Sequence, residues 1–207
     1  QHWWPARSRL EVVIGAILTQ NTAWLNVEKA IGNLRKNKLL SLRRLCAVNK
    51  KRLARIIRPA GYFNVKAKRL KNVLEFIRCR YKGDVGNARS VQTAKLRQQL
   101  LGINGVGPET ADSILLYALH KPSFVIDAYT RRIFSRLHSI SDGASYEQMQ
   151  GLFMKRLPAV EQLFGEYHAL LVRLGKEYCR KSNPKCQQCP LRNECALCRK
   201  TVTMRSG

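Results

Sequence analysis

Apolar residues recur along this chain at helical spacing. Leu10 to Leu18 is a nearly unbroken apolar run, and Val27, Ile31 and Leu34 continue at the intervals of a single helix face. Leu53, Ile56 and Ile57 repeat the pattern until Pro59, Ala60 and Gly61 stop it. Val65 to Ile77 carries Leu70, Val73, Leu74 and Ile77 on one face, with Lys66, Lys68, Arg69 and Lys71 mostly around the other. The alternation of a half-buried strand is essentially missing. The pattern predicts an all-α fold. No repeat or low-complexity segment interrupts it, and the long irregular stretches are a cysteine-bearing loop and the tail after it.

Between two amphipathic segments lies Leu100 to Ala111, reading L-L-G-I-N-G-V-G-P-E-T-A. This predicts a helix-hairpin-helix. Gly105 and Gly107 permit the positive φ and close backbone approach of a tight hairpin, Val106 anchors it in the core, and Pro108 suits the first turn of the next helix. Free N–H groups at that helix start offer a seat for phosphate. A glycine turn between helices is common, but here a helix follows and then Val125, Ile126 and Asp127, a more specific combination.

Charge narrows the class of partner. Lys and Arg number 38 against 13 Asp and Glu, a formal net charge of +25 on 207 residues, which repels itself in the folded state and suits an external polyanion. Such an excess supplies affinity for nucleic acid without saying which sequence or lesion. With 45% hydrophobic residues the chain can bury the core of one or two domains. No apolar stretch approaches the ~20 residues of a bilayer span, so no membrane is expected and the location expected is cytoplasmic, associated with the nucleoid.

Seven cysteines are present. Cys179, Cys186, Cys189 and Cys195 follow C-x6-C-x2-C-x5-C on a polar, irregular loop that also carries Arg180, Lys181, Lys185 and Arg192. Four thiolates so close need a cation. Zinc held by Cys186, Cys189, Cys195 and Cys198 is one alternative, though that frame leaves Cys179 idle and joins its pairs by a short linker. Disulfides are another, disfavoured by the odd number of cysteines and the lack of a visible secretory segment. Cys46 and Cys79 lie in apolar helical surroundings and are expected in the core.

The cysteine spacing resembles the [4Fe-4S] cluster loop of the endonuclease III (HhH-GPD) superfamily of DNA glycosylases. The order of helix-hairpin-helix, apolar segment ending in Asp127, helix and cysteine loop resembles that superfamily over nearly the whole chain. The resemblance implies two helical domains with the active-site cleft between them: a barrel over residues 15–125 and a discontinuous cluster domain of residues 1–14 and 126–207. It also implies Asp127 as the catalytic carboxylate, whose simpler role is a helix N-cap, and Cys179, Cys186, Cys189 and Cys195 as cluster ligands. Members that also cut the strand carry a lysine two residues after the second hairpin glycine, whereas this chain has Glu109. A carboxylate forms no Schiff base, so a monofunctional enzyme using water is expected. Glu109 itself fits a pocket residue or a solvated helix start equally well.

The amino-terminal residues are similar to the 3-methyladenine DNA glycosylase branch. His2-Trp3-Trp4-Pro5, then Gly15 to Thr22 followed by Trp24, and Arg58 to Leu70 carry the likeness. It implies Trp3, Trp4 and Trp24 as walls that stack an extruded alkylated purine, a cationic and electron-poor base. Plain core packing is the competing role for each tryptophan. Gln20 matches the position that fills the gap left in the duplex, and Tyr62, Lys66, Lys68 and Arg69 are expected to form a basic, partly aromatic surface. The expected function is excision of alkylated purines such as 3-methyladenine from double-stranded DNA in base excision repair, by a monomer. The alternatives are a thymine or adenine mismatch glycosylase, a bifunctional oxidised-pyrimidine glycosylase and lyase, and a non-catalytic damage-binding module.

Overall fold

The computed structural model describes residues 4–141 and 143–203, with side chains to Arg199. Trp3 lies outside the described residues. All regular structure among the described residues is helical, and none of these helices is long and apolar enough to cross a membrane. The chain divides into two compact units, one ending at Ser123 and the other beginning at Phe124.

The first unit is built around α1 (Arg9–Leu18), buried along nearly its whole length as its continuous apolar run requires. Ser8 starts it by accepting the Glu11 N–H at 3.2 Å. The Glu11 carboxylate, although buried, receives Arg35 on both oxygens and the backbone N–H of Arg7. Against α1 pack α2 (Trp24–Lys36), α5 (Phe63–Arg80) and α7 (Pro108–Ser113) with the π-helical turn that follows it, Ile114–Ala118. The short helices α3 (Leu42–Ala47) and α4 (Lys50–Ile56), capped by Ser41 and Asn49, close the other side of α5. Helix α6 (Thr93–Leu101) leads into the hairpin. Val27, Ala30, Ile31 and Leu34 of α2 point into the core, as their spacing predicts.

The second unit holds α8 (Ala128–Arg136), α9 (Tyr146–Arg156), α10 (Glu161–Glu177), the cysteine loop and α11 (Ala196–Thr203). Its core is aromatic. Phe124 stacks on Phe153 with centroids 4.1 Å apart and takes Phe164 and Tyr167 edge-on. Helix α8 lies so close to α10 that a Cβ at Gly175 would come within 2.4 Å of the Tyr129 ring.

The amino-terminal residues pack otherwise than expected. Residues 4–14 belong with the first unit, not with the cluster unit: Val12, Val13 and Ile14 lie in its core and Trp4 packs against it. The physical reason is that α1 is apolar on every side from Val12 to Leu18 and has to be enclosed by helices. The cysteines outside the loop differ too. Cys46 is half-buried against the core, while Cys79 is exposed beside Glu75 and Arg78 because it falls on the outer face of α5.

Candidate functional site

The hairpin joins α6 to α7 through Gly102 to Gly107, with Ile103 and Val106 buried beneath it. Gly105 has φ +97°, and a Cβ there would lie 2.2 Å from Cγ of Arg69, so only glycine fits. Gly107, expected at positive φ as well, is instead extended at φ −94° because it serves as the N-cap of α7, and it is exposed with open space around it. Beneath the turn, buried Asp112 of α7 receives Nε and a terminal nitrogen of Arg97 of α6 at 2.8 and 3.0 Å. Ser123 Oγ donates to the same carboxylate at 2.6 Å. This bidentate pair locks the two hairpin helices together.

Gln20 serves the hairpin. Its Nε2 donates to the Gly105 carbonyl and to Thr110 Oγ1 at 3.0 and 2.9 Å, and its Oε1 accepts from Arg69 at 2.6 Å. The side chain expected to enter the duplex is thus held half-buried, as a clamp, in this state. Glu109 is exposed in the first turn of α7, where a negative charge meets the positive end of the helix dipole.

The predicted basic face of α5 is only partly solvated. Lys66 is 1% exposed and its ammonium donates to the Leu18 carbonyl, Thr22 Oγ1 and the Ala60 carbonyl at 2.7, 2.6 and 2.7 Å. Burial, with some help from the Arg69 charge, lowers its pKa to about 8. Lys71 donates to the carbonyls of Leu45, Cys46 and Val48, which end α3. Three donors per ammonium explain why such residues turn inward: loops rich in free carbonyls need them. Lys68 stays exposed, and Tyr62, left-handed at φ +44° ahead of α5, is 72% exposed.

Trp4 and Trp24 meet edge-to-face with centroids 5.3 Å apart. A third ring, Tyr117, lies 5.0 Å from Trp4 at 31°. The π-helical turn carries Tyr117, which sequence reasoning missed because periodicity alone reads it as one more helical position. Gly15 makes room for the pair, since a Cβ there would approach Trp4 to 3.2 Å. Trp24 Nε1 donates to Glu28 at 2.8 Å.

In the second unit Asp127 is the N-cap of α8. Its Oδ1 accepts the Thr130 N–H at 2.7 Å, and its Oδ2 lies 3.4 Å from Nε2 of His168 on α10. Burial pushes the carboxyl up, but the hydrogen bond and charge of His168 and the Thr130 N–H outweigh it and hold the pKa below the usual carboxylate value. The result is a mostly buried carboxylate kept ionised at a helix start. His168 was not foreseen; its only signal was one polar residue in the apolar stripe of Phe164, Leu171 and Val172.

The other end of α8 meets the cysteine loop. Arg132 donates to the carbonyls of Cys179 and Gly175. Arg136 donates to Sγ of Cys179 at 3.3 Å and to the carbonyls of Arg180 and Lys181. Among the described residues no three Cys, His, Asp or Glu side chains are arranged to hold a metal ion. The donor set nevertheless has the chemistry of a thiolate site. Burial raises the Cys189 thiol, and the nearby Cys179, Cys195 and Cys186 raise it further, the mutual repulsion that a cation relieves. Cys198 is buried beside Cys186, and burial together with that contact pushes its thiol up to about 12.

With a clamped hairpin in one unit and an ionised helix-capping aspartate in the next described, comparison with known proteins identifies the family. Residues 14–159 match the HhH-GPD superfamily base excision DNA repair proteins, and the chain belongs to that superfamily. It is 52% identical over 196 residues to a Methanocaldococcus jannaschii protein whose name proposes a DNA repair glycosylase, covering 94% of this chain and 89% of that one. Endonuclease III trapped as a covalent intermediate with DNA has the same fold, with a TM-score of 0.84 over 98% of this chain and 90% of that one at 23% identity. The H. pylori 3-methyladenine DNA glycosylase bound to 1,N6-ethenoadenine matches with a TM-score of 0.74 and 28% identity, over 84% of this chain and 88% of that one.

Proposed function

We propose that this base excision glycosylase is monofunctional, that it acts as a monomer on double-stranded DNA, and that it releases alkylated purines such as 3-methyladenine. The observation that carries the chemistry is Asp127, ionised although buried. As the N-glycosidic bond breaks, positive charge develops on the sugar, and a fixed carboxylate stabilises that charge more than it stabilises the substrate. The same carboxylate orients or deprotonates the attacking water. Substrate choice rests on Trp4, Trp24 and Tyr117, whose faces favour a cationic purine over a neutral base.

The lysines support the reading that the strand is left uncut. Glu109 occupies the position of the family's nucleophile, and Lys66, with a pKa of about 8, has the acidity of a Schiff-base lysine. Its amine is enclosed and bonded to three oxygens, out of reach of a sugar. Cys179, Cys186, Cys189 and Cys195 would hold a [4Fe-4S] cluster, which supplies a rigid thiolate-bound anchor for a basic loop. Arg180, Lys181, Lys185 and Arg192 then face phosphate with little entropy left to lose.

The test is base release from duplexes carrying 3-methyladenine, 7-methylguanine, hypoxanthine, uracil, thymine glycol or mismatched thymine or adenine, with strand cleavage scored separately. Release of the methylated purines without borohydride-trappable adduct supports the reading. Activity confined to thymine glycol, or to mismatched thymine or adenine, replaces it.

A further inference from the structure

We propose that His168 is a positioning residue for Asp127: it holds the second carboxylate oxygen while the start of α8 holds the first, so that the carboxylate has one orientation. This rests on Asp127 being the catalytic carboxylate. His168 is 4% exposed on the buried face of α10, and it acts through Asp127. With Oδ1 alone tied to the Thr130 N–H, the carboxylate can pivot about its terminal torsion, which is broad. Nε2 of His168, at ion-pair distance 3.4 Å from Oδ2, restrains that freedom.

The geometry is set by helix packing. Helix α10 meets α8 where Gly175 admits the Tyr129 ring, and the pairing is bolted by Arg132 on the Gly175 and Cys179 carbonyls. The two helices therefore cannot slide without breaking contacts at both residues, and the His168 to Asp127 distance is fixed with them. The device also answers an energetic need. A carboxylate removed from water is costly unless paired, and removing its partner leaves it either mobile or protonated. A merely space-filling histidine would need no nitrogen at that point.

The test compares His168→Leu, which keeps volume and removes the donor, with His168→Gln, which restores an N–H of similar reach. Single-turnover base release, duplex affinity, the acid limb of the rate profile and an NMR titration of the Asp127 carboxyl are measured for each. The Leu variant is expected to lose on the order of 100-fold in rate, as for ångström-scale misplacement. Its DNA affinity stays unchanged, its acid limb moves upward and its Asp127 titrates higher. The Gln variant recovers most of the rate. A folded Leu variant with the rate and Asp127 titration of the parent overturns the inference, as does a folded Gln variant no faster than the Leu variant. If the Leu variant does not fold, the comparison of Gln with the parent decides: a Gln variant near the parental rate and titration supports the role, and one displaced in both overturns it. Asp127→Asn separates the two levels. If it retains base release, the catalytic reading itself fails; if it is inactive while the histidine variants behave as the parent, only the positioning role fails.

Discussion

Asp127 and Lys66 are both charges taken out of water, and they differ in how fully they are bonded. Lys66 spends every N–H on an oxygen, which makes it a staple between the turn after α1 and the turn before α5. Lys66→Met removes three hydrogen bonds from a charged donor and is expected to cost about 3 kcal/mol or more in urea or thermal unfolding. Asp127 is less tightly bound: one carboxylate oxygen takes the Thr130 N–H and the other lies 3.4 Å from His168. Asn preserves the N-cap almost fully, so Asp127→Asn is expected to fold yet to lose ~10²- to 10⁴-fold in base release. Because the folded carboxyl titrates below its unfolded value, ionised Asp127 adds stability that is present above about pH 4 and is lost as the pH falls further. The stability gap between the parent and Asp127→Asn should therefore shrink below that pH, as followed by circular dichroism.

Among the elements, the hairpin depends on others for its shape. Arg69 covers Gly105 and holds Gln20, which in turn holds the Gly105 carbonyl, so these three move together. Gly105→Ala forces the positive φ on alanine and displaces Arg69. It should cost about 1–3 kcal/mol and weaken duplex binding in a fluorescence anisotropy titration. Gly107→Ala, with open space around it, should leave both close to the parent. The helices themselves were legible in the sequence because apolar spacing, Pro59 and the hairpin glycines speak locally. So was Asp127 as an N-cap, from the apolar segment ahead of Ala128, Tyr129 and Thr130. What was not legible depends on distant partners. Lys66 looked solvated because its acceptors lie on other segments, Gln20 looked free because Gly105 is far away in sequence, and His168 drew no expectation because its partner lies on another helix. Residues 4–14 were misassigned for the same reason: the helices that enclose α1 come later in the chain.

For the molecule as a whole, a net charge of +25 makes DNA affinity an electrostatic matter first. Apparent affinity for undamaged duplex should fall by ~10³-fold or more between 50 and 200 mM salt. On the proposed reading, the cysteine loop presents its share of that charge to DNA only if it is held in place, so Cys195→Ser should weaken DNA binding and remove any visible absorbance of an iron-sulfur centre. On the proposed reading, these global properties bring the enzyme to DNA and Asp127 assists the cleavage of the glycosidic bond. The most direct measurement is single-turnover release of 3-methyladenine from duplex DNA by the parent and by Asp127→Asn, with intact strands counted in the same samples. The account predicts rapid release by the parent, little by the variant, and uncut strands in both. Equal release by the two proteins, or strand cleavage by the parent matching its base release, would contradict it.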